Sequence, residues 1–214
     1  VYFDGDFTIE AWVYPKNFGN WSRIIDFGNG AGNNCVLLGS TYGTSGYPGF
    51  YVGGAQFQAT LPLTLNQWNH VAATLRGTLA TIYVNGVAAG TSTFPVPANV
   101  TRTLCYIGKS NWGSGDANLG AKMDELRIWS RALCQSEIQN NMSCELPSSP
   151  LGLKLYYKFN QGIPYGVNTT ETTLIDEKVT NNGALANFAL TGNSSNWGSA
   201  NLSTSTFNTP FSYV

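Results

Sequence analysis

Hydrophobic and polar residues alternate with a period of two along most of the chain. In "DFTIEAWVYP" the residues Phe7, Ile9, Ala11 and Val13 fall on one face and Thr8, Glu10, Trp12 and Tyr14 on the other, as in a strand, where successive side chains point to opposite sides. One face is aliphatic; the other is amphipathic and aromatic. The pattern returns in "WNHVAATL" and "LATIYVNGVAAG". There Asn85-Gly86 predicts a two-residue hairpin, because a type I′ turn needs positive φ at both central positions. Further strands are predicted at "RIIDFG", "NCVLLGS", "GFYVGG", "TLCYIGK", "MDELRIW" and "LKLYYKFN". Short turns separate them, so the expected fold is all-β, an antiparallel two-sheet sandwich. A single helical stretch stands out, from Ser130 to about Met142, with Leu133 and Ile138 sharing a face; it is expected to cover one end of the sandwich. Residues 1–197 are expected to form one domain, with 198–214 an edge strand or linker.

Composition narrows the partners. Of the 214 residues 43% are hydrophobic, including 6 Trp, 11 Tyr and 11 Phe, and only 11% are charged, well under the roughly 25% usual in soluble domains. The surface must therefore be built from Asn, Thr, Ser and Gly. A net charge of −1 without any basic cluster gives no attraction for phosphate backbones, so nucleic acid is not an expected partner. No apolar run reaches the length of a membrane span, and membrane insertion is not expected either. The opening residues "VYFDGDF" lack a leader pattern, so any export signal is expected to have been removed or not included.

Four cysteines, Cys35, Cys105, Cys134 and Cys144, match neither a metal knuckle nor a redox pair. Disulfides are the favoured reading, in a secreted or cell-surface setting, with buried free thiols as the alternative. A continuous helix from Cys134 to Cys144 would separate them by about 15 Å, against the roughly 4.4–6.8 Å that a bridge tolerates. "NNMSC" can end the helix early, since Asn adopts the left-handed conformation that turns a chain back. The expectation is therefore Cys134–Cys144, with Cys35 and Cys105 either paired across a sheet or buried as thiols.

Alternation in "MDELRIW" places Asp124 with Leu126 and Ile128 on the core side, and Glu125 with Met123, Arg127 and Trp129. A carboxylate facing the core is costly unless hydrogen-bonded, paired or metal-bound.

The ordered set "DFTIEAWVYP", "LNQWNHVAATL", "ATIYVNGVAAG", "LCYIGKSN", "GAKMDELRIWSRALCQSEIQNNMSCEL" and "LGLKLYYKFNQG" resembles the laminin-G-like, concanavalin A-like jelly-roll family, in its LamG/pentraxin-like modules of secreted or surface bacterial proteins. The resemblance spans residues 3 to about 190. It implies a jelly-roll sandwich and a structural calcium near Asp124, with Asp4 and Asp6 as the candidate partner ligands, since calcium takes six to eight oxygens. It supports the Cys134–Cys144 pair more than the other. Such modules usually open with an extra strand, which here is either compressed into Tyr2 to Gly5 or cut away. "YYKFNQG" comes late in this chain, so a closing strand from the C-terminal part or from a neighbouring chain is expected.

The same fold houses retaining glucanases, which need two carboxylates about 5–5.5 Å apart. No Glu-x-Asp-x-x-Glu run occurs, and Asp124 and Glu125 fall on opposite faces. His70 has no nucleophile signature beside it and reads as a structural strand residue. Catalysis is not expected. Aromatic rings in polar loops remain: Trp and Tyr match the apolar faces of sugars, while Asn and Asp bond hydroxyls. Candidate ligand-binding residues are Trp112, Asn111, Asp116, Tyr42, Tyr47 and Trp21. The expectation is a non-catalytic recognition or adhesion module for polysaccharide or glycan. The alternative is a structural module that contacts a protein partner at the cell surface or copies of itself through sheet edges.

Overall fold

A computed structural model describes residues 2–147, 150–199 and 212–213. Its main strands are β1 (Phe7–Pro15), β2 (Arg23–Gly28), β3 (Val36–Gly39), β4 (Gly49–Val52), β5 (Ala55–Gln58), β6 (Asn69–Arg76), β7 (Leu79–Val84), β8 (Val87–Thr93), β9 (Leu104–Ile107), β10 (Ala121–Trp129) and, after the helix α1 (Gln135–Asn141), β11 (Leu153–Tyr157). They form a six-stranded sheet, β11-β10-β1-β6-β7-β8, and a five-stranded sheet, β5-β4-β3-β2-β9, antiparallel at every pairing within them. This is a concanavalin A-like jelly-roll sandwich.

The aliphatic face read from the sequence of β1 lies between the sheets. Phe7, Ile9, Ala11 and Val13 pack there with Ile25, Leu38, Phe50, Ile82 and Ile128, each large apolar side chain contributing about 1.5–3 kcal/mol by leaving water. Asn85 and Gly86 both take positive φ, 50° and 75°, as the β7–β8 hairpin demands. β11 is the edge strand beside β10, so a segment from the C-terminal part closes this sheet, as expected.

The other face of the six-stranded sheet is buried too. Ala72, Tyr83, Trp129 and Tyr156 meet Leu133, Ile138 and Leu146 from α1 and its flanks in a second apolar cluster. α1 is shorter than the predicted helix because Cys134 occupies the N-cap position, its N–H donating to Glu137 Oε2 at 2.8 Å. At its far end Trp12 Nε1 donates to the Met142 carbonyl at 2.9 Å, and Arg127 donates to the carbonyls of Asn141 and Cys144, each at 2.7 Å. Those carbonyls belong to the turn where a helix leaves acceptors unpaired. Gly86 lets the helix approach, for a Cβ there would stand 2.8 Å from Gln139 Cγ.

Two expectations are corrected. All four cysteines are free thiols, which overturns the Cys134–Cys144 bridge and leaves Cys35 as the buried thiol of the alternative, while Cys105 is exposed. Asn141 stays within α1 and Met142 is right-handed at φ −67°, so the chain does not turn back at "NNMSC". The seven-residue helix holds Cys134 and Cys144 at opposite ends, roughly 10 Å apart along its axis. Cys105 pairs with Phe27 on one side of β2, while Cys35 leads into β3 on the other; a whole strand lies between them. Asp124 does not face the core with Leu126 and Ile128. Glu10 pairs with Arg127 but Trp12 with Asp124, so β10 carries one extra residue there, Glu125 at φ 52°, and this bulge turns Asp124 to the helix side.

The C-terminal part adds β12 (Thr173–Leu174) paired with β13 (Gly183–Ala184), and β14 (Gly198–Ser199) paired with β15 (Ser212–Tyr213). Of the expected edge strand or linker at 198–214, residues 200–211 and 214 lie outside the described residues.

Candidate functional site

Among the described residues no α-helix packs on the outer face of the five-stranded sheet, which carries a groove of about 370 Å³. Its floor is low because Gly39 and Gly49, register partners on β3 and β4, sit side by side. A Cβ on Gly49 would stand 3.2 Å from the Tyr42 ring, so the pair leaves room for the rings around it. Two aromatic pairs rise from this floor. Trp21 packs on Tyr42 with centroids 4.3 Å apart, and Trp112 meets Tyr51 edge-on at 5.7 Å.

Between them lies Arg23, at the start of β2. Its guanidinium carbon is 5.5 Å from the ring centroids of both Trp21 and Trp112, within cation–π range. Nη2 donates to Asp116 Oδ2 at 3.0 Å, and Nε lies 3.8 Å from Asp26 Oδ2. Burial pulls the Arg23 pKa down, opposed by Asp116 and then Asp26; the guanidinium nevertheless stays charged. Burial raises the Asp26 pKa, and hydrogen bonds from Asn111 oppose that.

Trp21 itself is held at φ 51°, a left-handed conformation that a bulky residue adopts only when its surroundings impose it. Its N–H donates to the Gly43 carbonyl at 2.7 Å. The Trp112 loop is tied as firmly. Asn111 donates its N–H and Nδ2 to the two Asp26 carboxylate oxygens, each at 2.9 Å. Ser110 Oγ donates to Asp116 at 2.6 Å and accepts the Trp112 N–H at 3.0 Å. Asn20 Nδ2 reaches the Gly115 carbonyl at 2.9 Å, joining the two loops that carry the tryptophans.

Of the residues predicted to bind ligand, Trp21, Tyr42, Trp112 and Asp116 meet in this groove. Asn111 does not line it and acts as the anchor of its loop. Tyr47 closes the Tyr42 turn through its carbonyl, which accepts the Tyr42 N–H at 2.7 Å, and is not part of the lining. Sequence reading missed Arg23, Tyr51 and Gln56. The signal for Arg23 and Tyr51 was an arginine opening a strand with an aspartate three residues on, and a tyrosine alternating with Phe50 and Val52.

The proposed calcium ligands are not brought together. Asp4 and Asp6 are exposed ahead of β1, where Asp6 Oδ1 accepts the Gly77 N–H at 2.6 Å. Asp124 is buried beside Trp12, some 17 Å along β1 from Phe7 at about 3.4 Å per residue. Among the described residues no group of three or more His, Cys, Asp or Glu is placed to hold a metal ion. The donor set implied by the resemblance therefore does not fit a shared ion.

The acid pair belongs instead to a buried network beneath α1. Arg127 bonds Glu125 and lies 3.6 Å from Glu10, whose Oε1 accepts the Trp129 indole N–H at 3.0 Å. Tyr156 donates its hydroxyl to Glu125. Burial, then the neighbouring Glu125, holds the Asp124 pKa well above its usual range. His70 is buried 3.6 Å from Glu10, and burial, aided by Arg127, brings its pKa to about 3. It is neutral and shut off from solvent, as its reading as a structural residue implied.

Similarity to known proteins agrees with this architecture. The sequence model described as the concanavalin A-like lectin/glucanases superfamily matches residues 1–139, more than half of the chain. No curated protein matches it. A solved structure from Bacteroides ovatus ATCC 8483, described as a "putative carbohydrate binding protein", is 25% identical with a TM-score of 0.64; the match covers 85% of this chain and 52% of that one, so this chain spans about half of that protein's length. Domain 4 of the extracellular arabinanase AbnA from Geobacillus stearothermophilus, solved with arabinotriose, is 23% identical at a TM-score of 0.53 over 65% of this chain and 67% of that one. The heptameric SAP-like pentraxin of Limulus polyphemus is 19% identical at 0.52 over 65% and 70%. These last two show the fold alone. With its two main antiparallel sheets, α1 packed on one face and a family match over more than half its length, the chain belongs to the concanavalin A-like lectin/glucanases superfamily.

Proposed function

We propose that this chain is a non-catalytic carbohydrate-binding module that takes glycan in the groove on the outer face of the five-stranded sheet. The observation that carries this reading is the pair of aromatic walls, Trp21 with Tyr42 and Trp112 with Tyr51, standing over a Gly39–Gly49 floor with Arg23 between them. Flat rings receive the apolar faces of sugars, and a few fixed polar groups receive the hydroxyls. Similarity to the Bacteroides ovatus protein, described as carbohydrate-binding, points the same way.

Hydrolysis is not part of the proposal. Glycosidases flank the scissile bond with two carboxylates, whereas Asp116 is the one carboxylate among the described residues lining the groove. The proposed setting is outside the cell or at its surface. A glycan array probed with the whole chain, followed by titration of any hit against Trp112→Ala, tests the reading. Saturable binding that Trp112→Ala weakens at least tenfold supports it; binding indifferent to Trp112 moves the site elsewhere on the molecule.

A further inference from the structure

Resting on that carbohydrate reading, the charges around Arg23 bear on which class of sugar the groove takes. Arg23 is only 5% exposed, yet its Nε and Nη1 make no hydrogen bond. Buried donors without partners are rare in folded proteins, and these belong to a side chain that lines the groove between two indole rings. A guanidinium so placed ordinarily suggests an anion, which it binds through paired N–H groups.

Charge here argues against one. Asp116 sits 3.0 Å and Asp26 3.8 Å from the guanidinium, setting two carboxylates against one cation. Arg23 is the sole Lys or Arg among the described residues lining the groove. A uronate, sialate or sulfate reaching Arg23 would meet repulsion from Asp116 with no excess positive charge to offset it. A hydroxyl carries no such cost, since it accepts from the guanidinium and donates to the carboxylate.

We infer that the groove selects neutral saccharides: Arg23 donates to sugar hydroxyls, and Asp116 both holds Arg23 and excludes acidic sugars. Arg23 is thereby a binding residue and Asp116 a specificity determinant.

The test is an array on which neutral polysaccharides are printed beside acidic ones, each acidic polymer also present in its carboxyl-reduced form, so that a matched pair differs in charge alone. The whole chain is expected to bind neutral members and to bind a carboxyl-reduced polymer at least tenfold better than its acidic parent wherever that backbone is recognised. Asp116→Asn, folded by its thermal melt, is expected to narrow that ratio to within about threefold. Arg23→Lys, which keeps the charge but loses the fork, is expected to weaken neutral hits tenfold. Acidic forms bound as well as their neutral partners, or a ratio unmoved in Asp116→Asn, would overturn this inference and leave the carbohydrate reading standing. An array blank throughout would overturn both.

Discussion

The outer face of the six-stranded sheet carries Arg127 among Glu10, Glu125 and Tyr156; the outer face of the five-stranded sheet carries Arg23 among Asp26, Asp116 and two tryptophans. The two clusters use the same parts. Each sets one guanidinium against carboxylates and aromatic rings on a strand that also feeds the common core. They differ in what completes them. Arg127 finds the carbonyls of Asn141 and Cys144, and α1 lies over it as a result. Arg23 keeps Nε and Nη1 without hydrogen bonds, against Nε alone for Arg127, and among the described residues no α-helix lies over its groove. A buried arginine whose Nη donors are all taken up by the chain is a latch. One whose donors are left over is material for a binding site.

Arg127→Met breaks the covered side most strongly. It strands Glu10 and Glu125 in the interior and frees the end of α1, and losing one partner of a buried charge cluster costs about 3–5 kcal/mol. The expected result in a denaturant titration is a loss of that size, with glycan affinity per folded molecule unchanged. A loss under about 1 kcal/mol would mean that α1 is not latched by this residue.

The pH response sharpens the same contrast. Folded His70 stays neutral down to about pH 3, whereas in the unfolded chain it takes up a proton near pH 6.5. Below 6.5 the unfolded state thus binds more protons, and stability falls as the pH is lowered toward 3, by about 1.4 kcal/mol per unit from this group. Asp124 acts in the opposite sense. Its raised pKa stabilises the fold below the unfolded carboxylate pKa near 4, and that contribution is lost as the pH rises through its folded value. His70→Gln should therefore flatten the acid limb between pH 6.5 and 4, and Asp124→Asn should raise stability at neutral pH. Unchanged pH slopes in both would show that neither group titrates on unfolding.

On the open side Trp112→Ala is expected to cost at least about 1.4 kcal/mol of glycan affinity, a tenfold loss. Because Trp112 is 37% exposed, stability should move by about 0.5 kcal/mol or less. The smallest expected effect is that of reductant. With four free thiols the melting temperature should not respond to dithiothreitol. Native alkylation should label Cys105, Cys134 and Cys144, which are exposed, ahead of buried Cys35. A melt that drops on reduction would restore the bridges read from the sequence.

Much of the fold was legible because period-two alternation is a local property. β1, β6 and the β7–β8 hairpin follow from residues adjacent in the chain, and Asn85-Gly86 carries its turn in its own backbone preferences. Alternation failed at Asp124, where the inserted bulge residue Glu125 turned the aspartate to the other face. It also misjudged Asn140 and Asn141, whose capacity for the left-handed conformation went unused once the helix end was held by Trp12 and Arg127. The groove was half legible. Trp21, Tyr42, Trp112 and Asp116 stood out as polar-loop aromatics with an acid beside them. Arg23 and Tyr51 did not, because a strand residue reveals which face it shares but not whether that face is covered.

By itself, then, the sequence determined the strands, the hairpin, the aliphatic core and the supply of aromatic rings in loops, all of which depend on spacing along the chain. Tertiary structure alone decided that α1 seals one outer face and leaves the other open. It also decided that Asp26 and Asp116 converge on Arg23 while Asp4, Asp6 and Asp124 stay apart. Those outcomes rest on which strands become neighbours and on a one-residue bulge, and a charge takes its role from what lies across the sheet.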